Sequence, residues 1–216
     1  MVQLKRPVPV LMPVGHGAVL DSRLALFHPN ESWLAVADLH FGYEQSQRRA
    51  GALFPLWGMD DVRARLLGLL ADHHPQRLIV VGDLLHSGVN AENARLFVEE
   101  LRSDGTEVVL IRGNHDHSRK SGLEFEDEYR SGRWLFQHGH QATDQAFEGI
   151  IVEGHWHPAW VWRDGAGTRL KLPALVVGAQ RWILPAFSPW AAGVGWQPAE
   201  DDQLFACHPK RIVQAW

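Results

Sequence analysis

The stretch EVVLIRGNHD, Glu107 to Asp116, decides how this chain is read. Its first half, Glu107–Ile111, is an apolar, β-branched run of the kind that forms a buried strand. The run breaks at Gly113 and places an amide, an imidazole and a carboxylate at Asn114, His115 and Asp116. The same construction stands upstream. Arg77–Val81 is an apolar run ending in Gly82-Asp83, and Trp33–Ala37 is another ending in Asp38. Between these runs lie two helical patterns. Val62, Leu66, Leu69 and Leu70 share a face over Asp60–His73, and Ala94, Leu96, Phe97 and Leu101 recur along a helix capped by Asn90. Strand, helix, strand, helix, strand predicts a parallel sheet with crossover helices.

Further out, Ala18–Leu20 and Arg23–Phe27 predict short strands flanking Asp21-Ser22. After Arg133 the pattern changes to short strands with little helix: Trp134–His138, Gly149–Val152, Arg169–Leu172, Leu175–Gly178, Trp182–Leu184 and a hairpin around His208-Pro209-Lys210. The expected fold class is α/β, with two sheets, one half covered by helices and the other rich in strands. No repeat or linker interrupts the 216 residues, so a single domain over 1–216 is expected.

Composition narrows the function. A net charge of −4 excludes a global basic footprint for nucleic acid, so any phosphate chemistry needs a local source of positive charge. The lone Cys207 forms no internal disulfide, which suits a reducing cytoplasm. Pro7, Pro9 and Pro13 interrupt the apolar stretch a signal peptide would need, and no run reaches the roughly 18 apolar residues of a membrane span. Thirteen histidines are many for this length and point to metal or acid–base work.

The polar residues gather at the carboxyl ends of the predicted strands: Asp38-Leu39-His40, Gly82-Asp83-Leu84-Leu85-His86, Gly113-Asn114-His115-Asp116, His138-Gly139-His140 and Gly154-His155-Trp156-His157. Loops leaving that edge of an α/β sheet converge on one crevice. Imidazole, carboxylate and amide donors without cysteine suit manganese, iron or zinc in a catalytic rather than structural site. Two such ions about 3.5–4 Å apart need a bridging anion, and Asp83 can offer one oxygen to each. Asp38 and Asp83 neutralise only part of the charge of two divalent ions, which leaves a positive field for a phosphate group. In an extended strand His155 and His157 would share a face with Trp156 turned away, and Pro158 would hold His157 extended. Either His138 or His140 could be the donor from its segment; His138 directly ends the strand.

The ordered set DxH, GDxxH, GNHD, HG and GHxH, spanning Asp38 to His157, resembles the calcineurin-like metallophosphoesterase superfamily. That resemblance implies two mixed β-sheets packed as a sandwich and flanked by helices. It also implies one metal held by Asp38, His40, Asp83 and His157, and a second held by Asp83, Asn114, His138 and His155. His115 would contact the phosphoryl group or protonate the leaving oxygen; His86 itself reads either as its catalytic partner or as a hydrogen-bonded wall residue. His86 stands where many phosphomonoesterases of the superfamily carry aspartate, and this variant resembles the SbcD-type nuclease branch. The stretches DLHFGYE at Asp38–Glu44 and WILPAFSPW at Trp182–Trp190, and the lack of a cap domain, are similar to the ligase-associated DNA-damage-response endonucleases. The expected function is therefore a phosphodiesterase with two divalent metals, manganese foremost. Its metal-bridging hydroxide would attack phosphorus in DNA during repair, in functional association with a DNA ligase system. A small nucleotide or pyrophosphate-linked substrate is the alternative, and a non-catalytic interaction module on the same fold ranks last because no ligand is missing.

Other residues carry plainer expectations. Asp116 reads as a turn or cap. Trp156, Trp160 and Trp162 read as packing before they read as a platform for bases. Arg48, Arg49, Arg112, Arg119 and Lys120 could meet a nucleic-acid backbone, but short basic pairs are usually solvated. His73 and His74 close a helix, where a cation suits the dipole.

Overall fold

The computed structural model describes residues 9–87, 91–103, 105–116, 122–141, 147–191 and 193–216. Pro7, the Asn90 cap, Arg119 and Lys120 lie outside the described residues.

The first sheet runs through β1 (Leu11–Gly15), β2 (Ala18–Asp21), β3 (Ala25–His28) and β4 (Trp33–Val36) as an antiparallel meander. Then come α1 (Tyr43–Arg49), α2 (Gly58–His73), β5 (Arg77–Val81), α3 (Ala91–Arg102) and β6 (Glu107–Ile111). β4, β5 and β6 are parallel neighbours, with Ala35 opposite Ile79 and Ile79 opposite Val109. That is the predicted crossover unit. β4 is buried throughout and β5 nearly so, as expected of strands covered on both faces.

The second sheet uses β7 (Glu128–Ser131), β8 (Trp134–Gln137), β9 (Ile150–Glu153), β10 (Pro158–Arg163), β11 (Arg169–Val177), β12 (Arg181–Ile183), β13 (Val194–Gly195), β14 (Gln203–His208) and β15 (Arg211–Gln214). Its order is β13-β10-β11-β12-β9-β8-β7, with β14 and β15 branching from β11. Parallel and antiparallel pairs both occur in each sheet, so the two mixed sheets are as expected.

Tryptophans lock the sheets together. Trp33 of β4 meets Trp134 of β8 edge to face at 5.2 Å, and Trp134 meets Trp182 of β12 in the same manner at 5.2 Å. Such pairs contribute about 0.5–1.5 kcal/mol each beyond the burial of their area. One carboxylate, Glu31, accepts the indole N–H groups of both Trp33 and Trp134, so two buried donors are satisfied together.

Several elements differ from the sequence reading. β11 is one strand where two were expected around Pro173. Residues 169–173 pair with β10, residues 174–177 pair with β14, and Val176 and Val177 also pair with β12, so the proline sits where the strand exchanges partners. Helix α1 and strands β1, β7, β10 and β13 were not foreseen. α1 spans seven residues and is short for a periodicity argument. His73 is more than a helix end: its Nε2 lies 2.8 Å from the Asp21 carboxylate, which Arg23 also grips.

Candidate metal centre

All five polar motifs lie at or just beyond strand ends, and they share an unusual backbone. Among the described residues nine non-glycine positions have positive φ, and five of them are Asp38, His40, Asp83, His155 and His157. Left-handed backbone costs an L-residue roughly 1–2 kcal/mol, so it persists where surrounding structure imposes it, and it concentrates at working sites. Here it turns the chain sharply after β4, β5 and β9 and aims these side chains into one crevice. The expected extended run through His155 and His157 is therefore corrected. Both have positive φ, Trp156 N–H donates to Gly154 O at 2.7 Å, and the turn overrides the usual effect of Pro158 on the residue before it.

Close approach completes the geometry. A Cβ on Gly82, which has φ +78°, would lie 2.0 Å from Nδ1 of His138, and one on Gly113 would lie 2.1 Å from Asp83 Oδ1. Bare glycine lets the β5 and β6 loops close on the central side chains. Asp116 ties those loops: its carboxylate accepts Leu85 N–H and Gly113 N–H, both at 2.8 Å. It is the turn-and-cap residue expected, and burial pushes it up to about 6.

Two groups of donors result. The ligand atoms of Asp38, His40 and His157 lie within 4.8 Å of one another, as do those of Asp38, Asp83 and His138. Asp38 is common to both, and Asp83, the bridging carboxylate of the sequence expectation, belongs to the second. The Asp83 carboxylate lies 3.3 Å from His138 Nε2 and accepts the His115 N–H at 2.9 Å. Asn114 Oδ1 lies 3.1 Å from His138 Nε2. His155 stands in neither group. Its backbone N–H donates to the Asp38 carboxylate at 3.1 Å, and its ring centroid lies 5.0 Å from that of His138. His138 is 1% exposed at the centre, and His140 sits beside it with ring centroids 5.3 Å apart and belongs to neither group.

This arrangement suits cations. Nδ1 of His138 faces the Val81 carbonyl at 3.2 Å, so that nitrogen carries the proton in the neutral ring and Nε2 presents a lone pair. Nε2 then confronts two acceptors, the Asn114 and Asp83 oxygens. Three lone pairs converging on one another are reconciled by a second proton on His138 or by a metal ion. Nδ1 of His40 is buried with no partner among the described residues, and burial holds this ring near 4, so it stays neutral as a ligand must. Burial pushes Asp83 upward, but the hydrogen bond and charge of His138 and the His115 N–H outweigh it and hold the carboxyl near 2. The donors are nitrogen and oxygen throughout, and Cys207 lies buried in β14.

His115 and His86 form a second layer. Their rings stack at 5.1 Å and 20°, and Nδ1 of His115 meets the His86 carbonyl at 3.0 Å, which leaves Nε2 as the ring's other polar atom. Sequence reasoning missed Tyr43, whose ring meets His86 at 4.7 Å, and Glu44, which accepts the Trp190 indole N–H at 3.0 Å. These residues lie within the stretches quoted for the family, but their contacts span up to 146 positions, beyond the reach of spacing arguments. Trp156 is 40% exposed beneath the Arg181 guanidinium at 5.1 Å, so of the expected core packing and loop anchoring it has no core role. Arg112 bonds to Asp127 and to the Phe125 carbonyl.

Comparison with known proteins places the chain. The calcineurin-like phosphoesterase family profile matches residues 33–202. The Pseudomonas putida nuclease MPE has a similar structure, with TM-score 0.72 and 28% identity over 94% of this chain and 98% of that one. The phosphoesterase YfcE of E. coli aligns over 84% of this chain and 96% of its own with 18% identity and a TM-score of 0.44. No curated protein matches the sequence. With the family profile extending over most of its length, from the fourth strand of the first sheet to the edge of β14, the chain belongs to the calcineurin-like phosphoesterase family.

Proposed function

We propose that this hydrolase of phosphate esters is a phosphodiesterase that cleaves nucleic acid, with DNA in repair as its setting and two divalent ions, manganese foremost, as its cofactors. The observation that carries the reading is the convergence of carboxylate, amide and imidazole ligand atoms around Asp38, Asp83 and His138. Likeness to a nuclease supports the nucleic-acid substrate. The chain would act as one domain over 1–216, within the cytoplasm and alongside a DNA ligase system. Among the described residues no helix is long and apolar enough to cross a membrane.

Asp38, His40 and His157 would hold one ion, and Asp38, Asp83, Asn114 and His138 the other, with His155 as the remaining donor beside His138. Such ions, when bound, act as Lewis acids that polarise water and neutralise charge on a phosphoryl group. His115 would serve the leaving oxygen. The His86 carbonyl fixes its Nδ1 proton, so Nε2 is the atom that donates when the ring is charged. The His86 ring stacked on His115 keeps its plane.

Comparison of bis-para-nitrophenyl phosphate with para-nitrophenyl phosphate, using manganese-loaded protein and Asp83→Ala as the contamination control, tests the assignment. Preference for the monoester rejects it. His115→Ala is expected to lower kcat by about 10²–10⁴-fold on a nucleic-acid phosphodiester, whose alkoxide leaves poorly. The loss should be far smaller with para-nitrophenolate as the leaving group, and equal losses on both would remove His115 from proton transfer. The acidic net charge favours a second reading, a small nucleotide substrate, and absence of cleavage of any oligonucleotide would select it.

Metal binding should depend on pH. Burial lowers His138 and His157, but Asp83 and Asp38 for the first, and Asp38 for the second, outweigh it and hold both above the ordinary imidazole range. Raised values mean that the metal-free protein retains these protons as pH climbs toward neutrality, and a cation must displace them. Apparent manganese affinity is therefore expected to rise between about pH 6 and 8, with proton release. Calorimetry in buffers of different ionisation enthalpy reads that release directly; a binding heat independent of buffer would contradict it.

A further inference from the structure

The rings beside the candidate metal centre continue outward from it. His115 stacks on His86, and His86 meets Tyr43 at 4.7 Å. Tyr43 meets Phe54 at 5.4 Å, Phe54 meets Trp190 at 4.6 Å, and Trp190 meets Trp57 at 4.7 Å. This unbroken series ends on the loop between α1 and α2, where Leu53 is fully exposed and Trp57 is 51% exposed. Leu56 in the same loop is also exposed. Adjacent apolar side chains standing in water mark a binding surface more often than a folding requirement.

The surface is held in place. Glu44 is buried, and Oε1 accepts both the Gly58 N–H at 2.5 Å and the Trp190 indole N–H at 3.0 Å. One carboxylate thus joins α1, the first residue of α2 and the segment after β12, so the rings are presented without an ordering penalty at binding. Positive charge adjoins them. Arg48 and Arg49 occupy the exposed last turn of α1 immediately before the loop, and neither forms an ion pair with another described residue.

We propose that Tyr43, Phe54 and Trp57, backed by Trp190, form a stacking track for unpaired bases of a nucleic-acid strand whose scissile phosphodiester lies at His115. The inference rests on the nucleic-acid reading above. Continuity with His115 gives it direction, because a strand engaged at the metal centre has its neighbouring nucleotides within the reach of these rings. Bases within a duplex already stack on one another and present only their edges, so a track of ring faces and edges selects unpaired nucleotides. Arg48 and Arg49 supply beside the track the phosphate-binding charge that the acidic chain lacks overall.

The experiment compares kcat/KM for a long single-stranded homopolymer with that for bis-para-nitrophenyl phosphate, using the manganese-loaded full chain. Trp57→Ala is expected to lower that ratio about tenfold, chiefly through KM, the scale of one lost base–aromatic contact. Trp57→Phe should recover most of the loss, whereas Trp57→Leu, which is apolar but lacks a π face, should not. Continued turnover of the small ester reports that each variant is folded. Wild-type cleavage of the homopolymer with the ratio unchanged in Trp57→Ala and in Phe54→Ala overturns the track while leaving the nuclease reading intact. Turnover of the small ester with no cleavage or binding of any nucleic acid overturns both. A change from dimer to monomer on Trp57→Ala, with the ratio unchanged, would identify a self-association face and likewise overturn the proposal.

Discussion

Asp38→Asn is expected to abolish hydrolysis of a phosphodiester while the chain remains folded. Asp38 is the residue common to both donor groups, and it is fully buried. It receives the His155 N–H at 3.1 Å on both oxygens and lies 3.2 Å from His157 Nε2. Asparagine preserves the shape and one accepting oxygen, so the backbone bond to His155 survives. It removes the negative charge and the second oxygen, which are the properties a shared cation ligand requires. Loss of metal-derived stabilisation is worth several kcal/mol, which corresponds to at least about 10³-fold in rate. Elemental analysis of the purified variant should show reduced metal content beside wild-type protein, and circular dichroism should show an unchanged fold. A variant that keeps its metal and more than a tenth of the wild-type rate would contradict the shared-ligand role.

The second large effect concerns the backbone that builds the crevice. Gly82→Ala places a methyl group 2.0 Å from Nδ1 and 2.3 Å from Cγ of His138 at a residue with φ +78°. The His138 ring is buried and bonded to the Val81 carbonyl, so it has no room to yield. Left-handed strain of about 1–2 kcal/mol adds to an overpacking penalty of about 1–3 kcal/mol, against a total stability on the order of 5–15 kcal/mol. The urea midpoint is expected to fall sharply, and metal binding to fall with it because His138 must move. Gly165→Ala is the internal reference: its φ is +74°, but nothing lies within 4 Å of the added methyl, so only the backbone strain remains. Equal midpoints for the two variants would show that the close approach of the β5 loop to His138 does not matter.

Much of this was legible in the order of residues. The parallel unit β4, β5, β6 announces itself because strands buried on both faces must be continuously apolar, and the intervening helices carry regular apolar faces. Arg77–Val81 and Glu107–Ile111 came out with the expected bounds. Short or partnered elements were not legible: α1 has seven residues, β13 has two, and β7 alternates half-exposed with exposed residues. Pro173 misled for a physical reason, since a proline ends a pairing but not necessarily a strand.

The candidate site divides in the same way. Sequence alone determined which donor types the strand ends carry, because chemistry resides in side-chain identity and motif order survives whatever the loops do. Tertiary structure alone decided which donors meet. Positive φ at five site residues, the bare approach of Gly82 and Gly113, and the contact of Asp83 with His138 bring the Asp38 carboxylate within reach of both donor groups and leave His155 beside them. Those outcomes depend on backbone torsions and on contacts across more than a hundred positions, as between Asp38 and His155 or Glu44 and Trp190. A local pattern of residues carries no record of either.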